Sequence, residues 1–328
     1  MPHHWIDGHL DLAAMAMAGR DIHIPCQDPD TGCISLPDLK ESPIRIVFGT
    51  IYTSPAREGA AGDPCTYTDS ATAFDRGSDQ LEIYEQLEAQ GAIAIVRDGL
   101  RMPEADDPLG LYILMEGADP IRNPEDAAWW HQRGLRMVGL TWSLGTRYAG
   151  GNATNVGLSG IGRELVAALD DLKIVHDASH CSEQSLEDLF DCARGTIVAT
   201  HSNSRSIIGG DNQRHLLDEQ AREIFARGGV IGLNLYSNFL TQDRRATISD
   251  CVDHVLHYCE LAGNRNQVAL GSDYDGGFTP AELPIGLEHP RDLPALAAAL
   301  SEAGFNEEEL LGFTHANWLR CLNPSSSK

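Results

Sequence analysis

Short runs of mostly apolar residues recur along the chain, separated by longer stretches in which apolar positions return every three or four residues. Eight runs stand out: WIDGHLDL, IRIVFGTIY, GLYILMEG, LRMVGLTW, KIVHDASH, TIVATHSN, VIGLNLYS and QVALGSDYDG. Each is too short for a helix and nearly continuous in apolar character, which predicts strands covered on both faces, as in a parallel sheet. Between them, SDQLEIYEQLEAQG, GRELVAALDDLK, SEQSLEDLFDCARG, DEQAREIFARGG and SDCVDHVLHYCELAGN have helical periodicity. Several of these end in Gly or Asn, as helix C-caps do, and SEQS and LDEQ supply N-cap and first-turn chemistry at helix starts. The first crossover, residues 13–44, lacks this period and is predicted to be an irregular loop. No linker or low-complexity break divides the chain. The sum predicts one α/β domain over residues 1–328, a closed (β/α)8 TIM-type barrel, with an open doubly wound sheet as the competing arrangement.

The ionisable residues fall at the C-terminal ends of these runs, the rim where barrel enzymes build their sites. His9 and Asp11 close the first run, Glu116 the third, His180 the fifth, His201 the sixth and Asp273 the eighth. Alternation along a strand puts His9 and Asp11 on one face, so H-x-D supplies half of a metal shell. Asp7 shares that parity but lies lower, where hydrogen bonding around the ligands is its expected task. His3 and His4 precede the run and are expected at the surface, and Gly8 suits close backbone packing.

A single rim histidine is an ordinary feature. Six ionisable groups facing one cavity are not, because each would cost several kcal/mol, roughly, to desolvate unless a cation gathers them. Three histidines and two carboxylates exceed one four-coordinate zinc with an open position and suit two ions. The expected arrangement has His9 and Asp11 on one ion, His180 and His201 on the other, and Glu116 bridging, with a hydroxide completing the pair. Nitrogen and carboxylate donors suit zinc, with manganese, cobalt and iron also compatible.

Composition narrows the partners. The 48 acidic against 24 basic residues give a formal charge of −24, a surface that repels nucleic-acid phosphates and anionic lipid. No basic, apolar and small-residue leader opens the chain, and the tail NPSSSK is polar, so a cytoplasmic protein without membrane attachment is expected. The eight cysteines form no C-x-x-C pair and are expected to be reduced. No Walker A loop and no G-x-S-x-G elbow is present, and GLSGIG reads as a turn, which removes most support for nucleotide binding and serine hydrolysis.

DGHLDL, MEGAD, GLRMVGLTW, ASHCS, ATHSNSRSI, QRHLLDEQ and GSDYDG stand in an order and spacing that resemble the renal (membrane) dipeptidase family of zinc metallopeptidases, in the amidohydrolase superfamily. The resemblance covers nearly the whole chain. It implies a metallo-dependent-hydrolase barrel with two zinc ions on His9, Asp11, Glu116, His180 and His201. A metal-bridging hydroxide would attack the amide of a small dipeptide-like substrate. Asp273 matches the family's aspartate that takes a proton from the attacking water and passes it to the leaving amine. Arg214 matches the arginine that holds the substrate's terminal carboxylate, and Tyr236 a tyrosine near the same pocket. The family also implies a homodimer.

Trp142 departs from the mammalian pattern, which has a histidine contacting the scissile carbonyl, and points to a bacterial-type branch with its own substrate. Loss of such a donor costs roughly 2.7–4 kcal/mol unless Asn152, Arg147 or a metal substitutes. Two other readings follow: a hydrolase of another small substrate such as an N-acyl amino acid or lactone, and a catalytically idle barrel used for binding.

Overall fold

A computed structural model describes residues 3–26, 32–57, 62–104 and 106–323. All eight apolar runs form parallel strands. In chain order the strands are β1 (Trp5–Leu10), β2 (Ile44–Tyr52), β3 (Ser54–Pro55), β4 (Thr66–Tyr67), β5 (Ile93–Ile95) and β6 (Leu109–Glu116). They continue with β7 (Leu135–Gly139), β8 (Val175–Asp177), β9 (Ile197–Val198), β10 (Ile231–Leu233) and β11 (Val268–Leu270). Three of them, β3, β4 and β5, are short additions beyond the eight runs; β3 and β4 pair only with each other.

The closed eight-stranded barrel is not what the hydrogen bonds form. One curled, open sheet runs β1-β2-β6-β7-β8-β9, with β5 paired beside the first half of β6, and β10 and β11 make a separate two-stranded sheet. A single parallel bridge, Ala199 to Ile231, joins the two, and no ladder links β11 back to β1 among the described residues.

Side chains shape the seam between β11 and β1, and glycines the one between β9 and β10. The carbonyls of Val268 and Leu270 are taken by Asn317 Nδ2 at 2.8 Å and Trp318 Nε1 at 3.0 Å, so backbone acceptors on β11 are satisfied without a strand neighbour. Across the same seam Asp7 Oδ1 accepts the Ser272 N–H at 2.8 Å, a carboxylate standing in for a ladder carbonyl. At the other break the Thr200 carbonyl points over two glycines, where an added Cβ would lie 1.9 Å from it at Gly232 and 1.7 Å at Gly271. Only a residue without a side chain admits that approach.

The predicted helices form with their caps. Ser182 Oγ accepts from Ser185 N at 3.0 Å to start Glu183–Cys192, and Gly263, at φ 67°, closes Ile248–Ala262. The first crossover is more ordered than expected. It contains helices Leu12–Met17 and Leu36–Glu41, the second started by Ser35 and Pro37, while residues 27–31 of the predicted loop lie outside the described residues. The polar tail from 324 on also lies outside them.

One buried apolar cluster extends from Trp5 through the helix layer to Phe313, and a second, with Phe48, Tyr112 and Trp318, fills the space enclosed by the strands. None of the described helices is long and apolar enough to cross a membrane.

Candidate metal centre

The strands deliver the six predicted residues to one place. His9 Nε2 lies 3.8 Å from Asp11 Oδ1, 3.7 Å from Glu116 Oε2 and 3.9 Å from Asp273 Oδ1. On the other side, Glu116 Oε1 is 3.2 Å from His180 Nε2 and 3.5 Å from His201 Nε2, and the two imidazole nitrogens are 3.1 Å apart. The two oxygens of Glu116 therefore face two different donor groups, the geometry of a bridging carboxylate. His9, Glu116 and His201 form one metal-competent cluster, and His9, Asp11 and Asp273 another.

Hydrogen bonds fix which nitrogen each histidine presents. Thr200 Oγ1 donates to Asp177 Oδ2 at 2.6 Å and so accepts from His201 Nδ1 at 2.8 Å. Asn152 Oδ1 accepts from His180 Nδ1 at 3.0 Å. Both rings thus carry their proton on Nδ1 and turn the Nε2 lone pair into the site. His9 differs, since its Nδ1 is buried without a partner among the described residues.

Electrostatics suit a cation at this place. Burial pulls His9 down to about 3, with the Arg214 charge adding to it, and holds His180 and His201 well below the usual range, so all three are neutral, as ligands must be. Burial pushes Asp11 up to about 6 against the hydrogen bond from Thr50. Glu116 and Asp273 are held well above the ordinary carboxylate range, by burial first and then by the negative charge of Asp11. Glu116 Oε1 is buried and accepts no hydrogen bond among the described residues, although two lone-pair nitrogens face it. Lone pairs gathered this closely repel unless a positive charge sits among them. The donor set fits two divalent ions.

The backbone supports the same centre at some cost. His180 and Asp273 are two of only four described non-glycine residues at positive φ, 63° and 62°, a conformation that costs of order 1 kcal/mol and concentrates at functional sites. Asn234 Nδ2 holds Asp273 Oδ2 at 2.8 Å and is itself locked by Asn203, so Oδ1 of Asp273 is left facing His9.

The cluster opens into a cavity of about 790 Å³ bounded by Tyr52, Trp142, Tyr236 and Phe278. Trp142 stands 6.1 Å from the His180 ring with Tyr52 edge-on to it at 5.4 Å, and Tyr236 stacks on Phe278 at 4.6 Å. Arg214 is buried behind His201, bonding its carbonyl at 2.6 Å and Ser202 Oγ at 3.2 Å, with Nε unpaired; it is not part of the cavity wall.

Asp7 and Asp275 serve the scaffold, as their positions suggest. Asp7 binds Ser272 and the His9 N–H, and Asp275 pins the backbone of Cys33 and Ile34 and pairs with Arg20. Of the two residues suggested to replace the absent histidine, Arg147 is engaged elsewhere, bonding the carbonyls of Asp119 and Ile121 at 3.0 and 2.7 Å, and Asn152 spends its Oδ1 acceptor on His180.

Sequence reasoning missed Asp177, Asn234 and Tyr52. Tyr52 carried a signal, because it ends IRIVFGTIY as Glu116 ends GLYILMEG, and the two are cross-strand partners. Asp177 and Asn234 act through other side chains and leave no comparable mark.

Comparison with known proteins decides the family. The sequence model of the membrane dipeptidase family, peptidase family M19, matches residues 2–326. The chain belongs to this family. An uncharacterised protein of the pqqA 5′ region of Klebsiella pneumoniae is 30% identical over 260 residues, 74% of this chain and 93% of its own length. An uncharacterised dipeptidase of Schizosaccharomyces pombe is 29% identical over 241 residues, 71% of this chain but only 55% of its own length. Among solved structures, a metallopeptidase from Rhodobacter sphaeroides bound to a phosphinate mimic of the dipeptide L-Ala-D-Ala superposes with a TM-score of 0.86. It is 27% identical, covering 98% of this chain and 99% of that one.

Proposed function

We propose that this member of the membrane dipeptidase family is a metal-dependent hydrolase of the amide bond in dipeptides and close dipeptide-like molecules. The observation that carries the reading is the split Glu116 carboxylate, one oxygen toward His9 and the other toward His180 and His201. His9 and Asp11 would hold one zinc ion and His180 and His201 the other, with Glu116 between them. Bound there, the divalent pair supplies Lewis acidity, making water a competent nucleophile near neutral pH and drawing charge from the amide carbonyl.

The chain's own groups do the rest. Asp273, oriented through Oδ2 by Asn234, has Oδ1 free to take the proton of the attacking water and return it to the leaving amine. Arg214 supplies positive charge beside the centre, and Tyr236 and Trp142 line the cavity where they would contact the substrate. The relative crystallised with a mimic of L-Ala-D-Ala supports a dipeptide-sized ligand in this cavity. The whole chain acts as one catalytic unit, placed in the cytoplasm, where eight unpaired thiols stay reduced.

The test measures zinc content and turnover on matched L,L and L,D dipeptides. We expect about two zinc per chain, with turnover lost on chelation and restored by zinc. Bound zinc without turnover of any dipeptide overturns the substrate; N-blocked amino acids turned over instead would transfer the site to acyl-amide hydrolysis.

A further inference from the structure

At the opposite ends of the strands the charge reverses. A second cavity of about 700 Å³ is bounded by Arg97 after β5, Arg136 in β7, Lys173 before β8 and Arg194 before β9, with Tyr112 of β6 at its base. These positions are the N-terminal mouths of β7, β8 and β9, far along the strands from Glu116, His180 and His201. Four of the chain's 24 basic residues thus surround one cavity of a protein whose formal charge is −24. The one acid among the lining residues, Asp170, is already bonded to His176 at 2.8 Å and to the N–H groups of Arg194 and Gly195.

Among the described residues, two of the cations form no ion pair. Arg136 gives its hydrogen bonds to carbonyls: Nε and Nη2 to Arg97 at 2.9 and 2.5 Å, Nη1 to His131 and Leu135 at 2.8 Å each. A guanidinium has five N–H donors, so one on Nη2 is left over. Lys173 makes no ion pair among the described residues, and its backbone is left-handed at φ 57°. Arg97 and Arg194 are pinned in place by Glu88 and by Asp170 with Asp171. Tyr112 gives an independent sign of a ligand. The residue is only 6% exposed, it lines the cavity, and its hydroxyl makes no hydrogen bond among the described residues. The ring is buried while the hydroxyl opens onto the cavity, where it stands as an uncommitted donor and acceptor for a ligand.

We infer that this cavity binds a small multivalent oxyanion, a phosphate-bearing molecule or a polycarboxylate, through the Tyr112 hydroxyl, Arg136 and Lys173. Planar guanidinium and flexible ammonium donors together suit such a group, and a volume of this size accepts a small metabolite. The site is separate from the metal centre, so the inference does not depend on the proposed activity.

The experiment is calorimetric titration of zinc-loaded, desalted protein with inorganic phosphate in one arm and tricarballylate in the other, chloride serving as the ionic-strength control. Saturable binding of either is expected, and the tighter arm identifies the source. Affinity should fall at least tenfold in the double variant Tyr112→Phe with Lys173→Asn. Phe keeps the ring, and Asn tolerates the left-handed backbone at 173. Binding should persist in Glu116→Gln, whose metal centre is disabled. No saturable heat above chloride overturns the inference, as does binding that survives the double variant. Binding abolished by Glu116→Gln overturns it too, by assigning the anion to the metal centre.

Discussion

At the C-terminal ends of the strands, three neutral imidazoles and three carboxylates converge, and no guanidinium or ammonium among the described residues pairs with any of those acids. At the N-terminal ends, cations surround a cavity in which the one acid is already fully engaged by the protein's own donors. The same fold thus leaves opposite charges unsatisfied at its two mouths. An acidic cluster deprived of counter-charge is expensive, and its persistence at one end implies that positive ions from outside complete it.

Glu116→Gln tests that contrast most severely. The substitution preserves shape and removes the bridging charge, so both ions should be lost and turnover should fall by roughly 10³-fold or more. The rise in melting temperature that zinc confers on the native protein should disappear with them. A variant that keeps two zinc ions would show that Glu116 does not bridge. Asp273→Asn comes next. If Asp273 moves the proton, kcat should drop by about 10²–10⁴-fold while zinc content stays near native, measured by elemental analysis beside kinetics. Loss of one zinc in this variant would instead make Asp273 a ligand, which its 3.9 Å separation from His9 Nε2 also permits.

A smaller effect separates the two halves of the metal centre. His180 and His201 are oriented through Nδ1, by Asn152 and by the Thr200–Asp177 pair, whereas His9 Nδ1 has no partner among the described residues. Asn152→Ala and Thr200→Val should each weaken one zinc by about 10–100-fold and leave the other near its native affinity, read by competition with a chelator. Equal weakening of both ions would show that the two sites are not independently supported.

The metal centre was legible because its ligands sit at repeated positions in repeated units. His9, Glu116, His180, His201 and Asp273 each close an apolar run, and strand period alone predicts that such ends meet. Sheet closure was not legible. It was decided by Asn317 and Trp318, which lie near the end of the chain and take carbonyls of β11, and by Asp7, which substitutes a carboxylate for a backbone acceptor. Long-range side-chain bonds of this kind leave no period in the sequence. The same reason hid Asp177 and Asn234, whose roles are defined by what they touch. Trp142 was recognised as a departure, but Arg147, one of the residues offered to replace the lost donor, is engaged by local carbonyls that pattern alone does not reveal.

The gentlest test concerns Asp170, the acid of the basic mouth. Burial alone would raise its pKa, but the His176 hydrogen bond at 2.8 Å and the N–H groups of Arg194 and Gly195 at 2.9 and 2.8 Å outweigh it and bring it to about 2. A carboxyl depressed from 3.8 to about 2 on folding contributes stability that is present above pH 3.8 and is lost as pH falls through 2. The stability difference between native protein and Asp170→Asn, from urea unfolding, should therefore be constant from pH 7 to about 5 and shrink between pH 4 and 2. Because this acid is satisfied by the chain itself, the difference should be the same with and without zinc. A difference that widened on acidification would reverse the sign argued here. A difference that changed with zinc would mean that the two mouths are coupled through the strands between them.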